Sequence, residues 1–382
     1  MAYGLSKGVI VLKEVAVIGG GLAGLVSAIL LNRSGLNVCL AEKKKYPFHR
    51  VCGEYISNEV KPFLIQNGLY PDHVNTSDIT EFEFTSIKGR SLALPLDLGG
   101  FGISRYLLDE HLARIAVKEG VELRERTSVS EVNFDKDLFH IRLSNGESFE
   151  SKYVIGAYGK NANLDRSLNR SFTKKRAPFI GVKRHIKTDF PKNKIALHNF
   201  ENGYCGISAI EDEKYNLCYL GSRADLRKYG SLEAMETATV KRNPHLNHLF
   251  NNSDFIFEKP EVINEFSFAP KTAVQNHILM AGDSAGLITP LCGNGMALAI
   301  HAAKIVSECI IRHKNSERLN RNLLEKEYAQ KWQKLFAQRL WVGRQTQKLF
   351  GSKVTSELAV TLMQKSKFVA RAIMKQTHGQ PF

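Results

Sequence analysis

Gly19, Gly21 and Gly24, followed by Glu42, are the residues whose spacing most directly implies chemistry in this 382-residue chain. Where a strand turns into a helix, the first glycine permits the tight reversal. The second lets a pyrophosphate approach the backbone at the helix N-terminus, and the third lets the helix pack closely on the sheet. A carboxylate about twenty residues further on takes both hydroxyls of an adenosine ribose and disfavours a 2′-phosphate. The elements that must position these groups are legible around them: an apolar strand at 15–18, a helix at 22–32, Gly35 where a helix closes, and a second strand at Val38–Ala41 leading to the acid. Residues 14–43 are therefore read as a strand–turn–helix–strand unit for a dinucleotide with an unphosphorylated ribose, FAD or NAD rather than NADP.

Nothing else in the first fifty residues separates those two cofactors. Residues 277–303, HILMAGDSAGLITPLCGNGMALAIHAA, do so: Gly282-Asp283, Pro290 and Gly293-Asn294-Gly295 follow a short apolar run and precede a helical one. In this segment the chain resembles the family of FAD-dependent oxidoreductases that holds aromatic-ring monooxygenases, geranylgeranyl reductases and flavin halogenases. The resemblance implies FAD as cofactor, Asp283 as the carboxylate on its ribityl chain, and Pro290, Gly293, Asn294 and Gly295 as the turn beneath the flavin ring. The chemistry is intelligible in its own terms. Backbone N–H groups and a helix's positive end near N1 and C2=O stabilise the negative charge that reduction brings there.

Three further segments fit the same family. Residues 104–123 read as an amphipathic helix carrying Leu107, Leu108, Leu112 and Ile115 on one side, and Arg105 matches the family's arginine near the cofactor. In YVIGAYGKNANLDR, Tyr158 stands where the monooxygenases carry the Asp of an Asp-Gly pair tied to pyrophosphate and nicotinamide handling, while Gly156, Ala157, Gly159 and Arg166 remain. This departure argues against hydroxylase-style use of NAD(P)H, which stays a candidate electron donor. HRVCGEYISNEV at 49–60 resembles the stretch beside the flavin in geranylgeranyl reductases, and it makes Cys52 and Glu54 the candidate catalytic residues. A thiol beside an electron-deficient ring can donate a proton or pack against it, and Glu54 reads equally as a helix-start carboxylate.

Composition bounds the rest. A 43% hydrophobic and 24% charged chain of this length buries one large or two modest cores, which excludes disordered and fibrous classes. Six cysteines without a CxxC pair or zinc spacing read as reduced thiols in a cytoplasmic protein, with no metal site. The uncharged stretches 15–32 and 284–303 hold the motif glycines, so neither reads as a membrane span, and the first fourteen residues lack the features of a signal peptide.

The expected fold is α/β, with a Rossmann-like FAD-binding domain split between residues 1–165 and 271–312. A β-rich substrate domain occupies 166–270, and C-terminal helices fill 313–382. Strand-like runs lie at 179–186, 194–200, 204–210, 215–221 and 262–268, with a helix at 232–241. Phe200, Tyr204, Tyr219 and Phe266 are candidate core or substrate-facing aromatics. Residues 301–382 hold 16 Lys and Arg against 5 Asp and Glu, so +11 of the chain's +15 is local to them. The run 354–375, with Leu358, Leu362, Val369 and Ile373 on one face and Lys365, Lys367, Arg371 and Lys375 elsewhere, reads as a helix capping the FAD domain or as a peripheral contact with anionic membrane. No nucleic-acid-binding motif accompanies this charge.

Together these features predict an FAD-dependent oxidoreductase acting on a hydrophobic small molecule of lipid, isoprenoid or aromatic polyketide type, by geranylgeranyl-reductase-like chemistry. The alternative is a monooxygenase hydroxylating an aromatic or quinol-type substrate. A flavin halogenase is a weaker reading because its WxWxIP stretch is absent, the tryptophans being Trp332 and Trp341. A flavin-bearing membrane adaptor without turnover is weaker still. The sequence leaves the oligomeric state open.

Overall fold

Two runs of four apolar residues, 15–18 and Val38–Ala41, have the pattern of parallel strands covered on both faces, and both are buried in the computed structural model of the chain. The structure describes residues 11–160, 163–174, 178–264, 267–289, 294–314 and 320–347, with 352, 356–357, 360–361, 364 and 379–382. β1 (Leu12–Ile18), α1 (Leu22–Arg33) and β2 (Val38–Ala41) form the expected unit, β1 lying parallel to β2 with Val15 opposite Val38. α1 closes at Gly35, whose φ of +86° lets its N–H reach Asn32 O while Leu36 N–H reaches Leu31 O.

The chain then runs through β3 (Tyr55–Ser57), α2 (Lys61–Gln66), β4 (Ser77–Thr85) and β5 (Ser91–Gly102), and returns by α3 (Arg105–Lys118) and β6 (Glu122–Arg124). A hairpin of β7 (Val129–Asp135) and β8 (Leu138–Leu143) leads into β9 (Ser148–Gly156), which lies parallel to β1 on the side away from β2. After α4 (Asn163–Ser167) come β10 (Phe179–Lys187), β11 (Lys194–Phe200), β12 (Gly203–Ala209) and β13 (Tyr215–Ser222). Three helices follow, α5 (Arg223–Tyr229), α6 (Leu232–Ala238) and α7 (Pro244–Asn252), then β14 (Asp254–Phe255) and β15 (Glu261–Ile263). β16 (Val274–Gln275) and β17 (Ile278–Met280) rejoin the first sheet, and α8 (Gly295–His313) and α9 (Arg321–Gln347) follow.

The first sheet has the order β16-β17-β9-β1-β2-β6, with β8 and β7 continuing from β9, so it is assembled from both ends of the sequence. The second has the order β14-β10-β13-β12-β11-β4-β5-β3, with β15 on β10. It is therefore not built from 166–270 alone: β4 joins it by parallel pairing with β11, and β5 and β3 follow. The physical reason is visible in β5, where Leu92 and Leu94 are buried and their neighbours exposed, a period of two that needs a sheet to cover one face. The apolar run at 262–268 yields a strand only over Glu261–Ile263, and Phe266 lies outside the described residues. The helix read at 232–241 is α6 followed by a 3-10 turn at Val240–Arg242.

The second sheet is amphipathic in a particular way. Its outer face, including Ile180, Val182, Leu217 and Tyr219, packs under α6 and α7 through Met235, Leu246 and Leu249. Its inner face changes character along the strands. At one end Phe84, Leu197, Tyr204 and Leu220 cluster with Leu287, while at the other Ser208, Asn216, Lys183 and His185 replace them. α9 seals the FAD side with Leu324, Tyr328, Trp332, Phe336 and Leu340, one stripe at four-residue spacing, and Tyr328 donates its hydroxyl hydrogen to Met280 O. No helix among the described residues is long and apolar enough to cross a membrane. The side chains invoked for the basic membrane contact in 354–375 lie outside the described residues.

Candidate cofactor and substrate site

A cavity of about 970 Å³ runs between the two sheets, and it gathers nearly every residue the sequence singled out. Gly19, Gly21, Glu42, Arg105, Gly282, Asp283, Asn294 and Gly295 border it, as do Cys52 and Glu54. Gly24 serves the packing behind it: a Cβ there would lie 1.9 Å from Gly19 O, so only glycine lets α1 approach the turn. Pro290 and Gly293 lie outside the described residues.

The cavity's fit to a dinucleotide rests on two helix N-termini. α1 starts after Gly21 and α8 after Asn294; neither has a side-chain cap hydrogen bond or an acid in its first turn. Both starts border the same cavity. Uncapped N-termini of this kind suit anions, here a pyrophosphate at α1 and the N1–C2=O edge of a reduced flavin at α8. Glu42, 3% exposed, accepts from Gly20 N–H at 2.9 Å and Lys44 N–H at 3.0 Å, which holds the carboxylate at the mouth of the turn. Asp283 borders the cavity from the far side, its own carbonyl fixed by Lys271 Nζ at 2.7 Å.

Arg105 stands at the first position of α3, and its Nη2 lies 3.6 Å from where a Cβ on Gly21 would project. Asp109, one turn along α3, holds it at 2.7 and 2.8 Å. Sequence reasoning missed Arg50, which bonds the same Asp109 at 2.9 Å and reaches Glu42 at 3.1 Å. It sits in a loop without any period, and only the fold brings it to the turn. Two guanidinium groups thus converge beside the glycines, where they could hold phosphate oxygens.

The departure at Tyr158 has a structural answer. Its hydroxyl donates to Asp165 Oδ1 at 2.9 Å, and Asp165, fully buried, pairs with Arg170 at 3.0 Å. Arg170 donates onward to Ser284 O at 2.8 Å and Thr272 O at 3.2 Å. A carboxylate seven residues later thereby ties the first stretch of the FAD domain to the turn after Asp283.

At the other end of the cavity the loop that carries Cys52 crosses the polar part of the inner sheet. Asn216 Nδ2 donates to Cys52 O at 3.1 Å and Ser208 Oγ to Gly53 O at 3.3 Å. Cys52 is half-buried on the wall, near Cys218, whose thiol burial pushes up to about 12 and so keeps protonated. Glu54 is not an open acid. It is fully buried, and its carboxylate accepts from Lys183 Nζ at 2.5 Å and Arg105 N–H at 2.8 Å and pairs with His185 Nε2 at 2.6 Å. Its bond to Arg105 N–H is to the start of the distant helix α3, not of a helix in its own segment. Burial works to raise its pKa, yet the Lys183 charge and the bonds from His185 and Lys183 prevail and hold it below the ordinary carboxylate value. His49, Lys183 and His185 were not legible as site residues.

The chain belongs to the FAD-binding domain family, which matches residues 13–326. It is an FAD-dependent oxidoreductase, and FAD is the cofactor that this membership implies. Over 409 residues it is 26% identical to conditioned medium factor receptor 1 of Dictyostelium discoideum, covering 96% of this chain and 77% of that one. Over 336 residues it is 25% identical to digeranylgeranylglycerophospholipid reductase of Methanosarcina acetivorans, covering 84% and 80%. The fold is that of the flavin-dependent brominase Bmp2, with a TM-score of 0.77 at 18% identity over 96% of this chain and 93% of that one.

Proposed function

We propose that this oxidoreductase is a reductase that saturates a carbon–carbon double bond in a long apolar lipid of isoprenoid type. The observation that carries the reading is the apolar end of the cavity. There Phe84, Leu94, Leu197, Tyr204 and Leu220 form a wall continuous with the cofactor end. Such a wall binds a hydrocarbon chain by removing its surface from water, at about 25 cal/mol per Å². The identity with a digeranylgeranylglycerophospholipid reductase supports the same reading, as does the loop around Cys52.

When bound and reduced, FAD would supply a hydride, which carries both electrons of the reduction. The residues of the chain do the rest. The N-termini of α1 and α8, with Arg50 and Arg105, hold the anionic parts of the cofactor, and Glu42 and Asp283 take its sugar and ribityl hydroxyls. The apolar wall aligns the substrate chain and excludes water. Cys52, half-buried on the wall, is a candidate proton donor. Tyr158 in place of the family's Asp supports an electron donor other than unassisted NAD(P)H.

The test is anaerobic. Protein loaded with FAD and reduced with dithionite is mixed with a geranylgeranyl glycerolipid, and the lipid is followed by mass spectrometry. Gain of two hydrogens per double bond is expected. No change in the lipid, together with oxygen insertion into aromatic or quinol compounds in air, would replace the reductase by a monooxygenase.

A further inference from the structure

Asn294 immediately precedes α8, a position where asparagine is among the best caps: its side-chain oxygen ordinarily accepts from the second or third N–H of the helix that follows. Here its backbone stands at φ −117° and ψ 12°, away from the extended conformation usual for a cap, and among the described residues its side chain makes no cap bond to α8. The residue is buried, so the side chain has not simply turned to water. A strong local preference is overridden at the one helix end that faces the flavin part of the cavity.

The residue that overrides it is Glu59, in the 3-10 turn Asn58–Val60 between β3 and α2. The Asn294 amide donates to the Glu59 carboxylate, as does the N–H of Gly379, and Arg339 of α9 brings Nη1 to 3.5 Å. Glu59 is fully buried, and a Cβ on Gly379 would fall 1.8 Å from its Oε2, so only glycine lets the chain close over the acid. Burial outweighs these three partners and raises the Glu59 pKa above the ordinary carboxylate value. A buried acid–base pair is often no more stabilising than apolar residues of the same size. Stability alone therefore does not account for the acid, whereas its hold on Asn294 does.

We infer that Glu59 is a positioning residue for the cofactor: it draws Asn294 off the N-terminus of α8 and keeps that helix end open to the N1–C2=O edge of reduced FAD. Glu59 does not border the cavity, so it acts through Asn294, which does. Without the acid, the Asn294 oxygen is free to rotate onto the N–H groups of Met296 and Ala297, the place its residue type prefers, and to fill the anion site. Reduction brings negative charge to that edge of the flavin, so an open helix end favours reduced over oxidised FAD and a capped one loses the preference. The inference rests on the seating of FAD at α8 given above and on no substrate class.

The experiment measures the midpoint potential of bound FAD by anaerobic spectrophotometric titration against a reference dye. Glu59→Ala is expected to lower it by about 30 mV, the equivalent of a tenfold loss of preference for reduced FAD in a two-electron couple. Glu59→Gln still accepts from Asn294 and should not lower it. Adding Asn294→Ala to Glu59→Ala removes the side chain that would cap α8 and should restore the potential, whereas a loss caused by damaged packing would persist in the double variant. A second pair leaves Glu59 and Arg339 in place and serves even where Glu59→Ala does not fold: Asn294→Ser, which caps well and has no amide to donate, should lie below Asn294→Ala, which cannot cap. A Glu59→Ala potential equal to that of the unmodified protein, or one equally low in Glu59→Gln or in the double variant, would overturn the inference, as would equal potentials for Asn294→Ser and Asn294→Ala. If Asn294→Ser lies below Asn294→Ala while Glu59→Ala is unchanged, α8 still holds the flavin and only the role of Glu59 is lost. If no variant moves the potential, the seating of FAD at α8 falls and the inference with it.

Discussion

Asp283 and Glu42 border one cavity from segments 241 positions apart in sequence, and we propose that their carboxylates take the cofactor's hydroxyls. A hydrogen bond to a charged group contributes about 1.5–3 kcal/mol. Asp283→Ala should therefore weaken FAD binding roughly 10- to 100-fold, read by titrating the apoprotein with FAD and following flavin fluorescence; an unchanged affinity would remove Asp283 from the site. A second prediction concerns His198, 1% exposed, bonded to Thr85 Oγ1 at 3.0 Å and stacked on His245. Burial, reinforced by the charges of His245 and Lys194, pushes it down to about 3. Between the unfolded value of about 6.5 and this folded one, the unfolded chain binds a proton that the native chain refuses. Stability is thus full above that window and lost as pH falls through it, by on the order of 2 kcal/mol at pH 5. The thermal midpoint of His198→Gln should fall less between pH 7 and pH 5 than that of the unmodified protein. The carboxylates and glycines of the site were legible because each sits at a fixed spacing from an element. Arg50, His49, Lys183 and His185 were not, since Glu54 meets Lys183 and His185 across 129 and 131 residues and no local pattern marks such a meeting.

Among the elements, the strand–turn–helix at the start of the chain is the most constrained. With a Cβ on Gly24 falling 1.9 Å from Gly19 O, Gly24→Ala must lift α1 from the turn. Overpacking of this kind costs about 1–3 kcal/mol, and here it would also displace the helix end proposed to hold the pyrophosphate. Calorimetry and FAD titration should show a lower unfolding temperature and weakened cofactor binding together; normal FAD binding with only a stability loss would separate the turn from the cofactor. β1, β2, α1 and the four strands β10–β13 were readable from apolar runs of the right length between turn residues. β4 and β5 alternate as plainly, but their place in the second sheet was not readable. It depends on β4 pairing in parallel with β11, more than a hundred residues away, and parallel partners leave no turn signal between them.

At the scale of the molecule, the FAD-binding sheet and the half-open second sheet enclose one trough, polar and cation-lined where the cofactor belongs and apolar beyond it. That division suits the reductase proposed above, which would deliver its electrons to a buried hydrocarbon, whereas an oxygenase would have to trap oxygen at the same place. It was legible in the sequence only as two motifs and a β-rich insert, because an apolar wall shared by five strands has no linear signature. The measurement that decides between the two chemistries is anaerobic reduction of the FAD-loaded protein followed by rapid mixing with oxygen while the flavin spectrum is recorded. The reductase reading predicts direct return to the oxidised spectrum. A spectrally distinct species that persists before oxidised flavin reappears would contradict it.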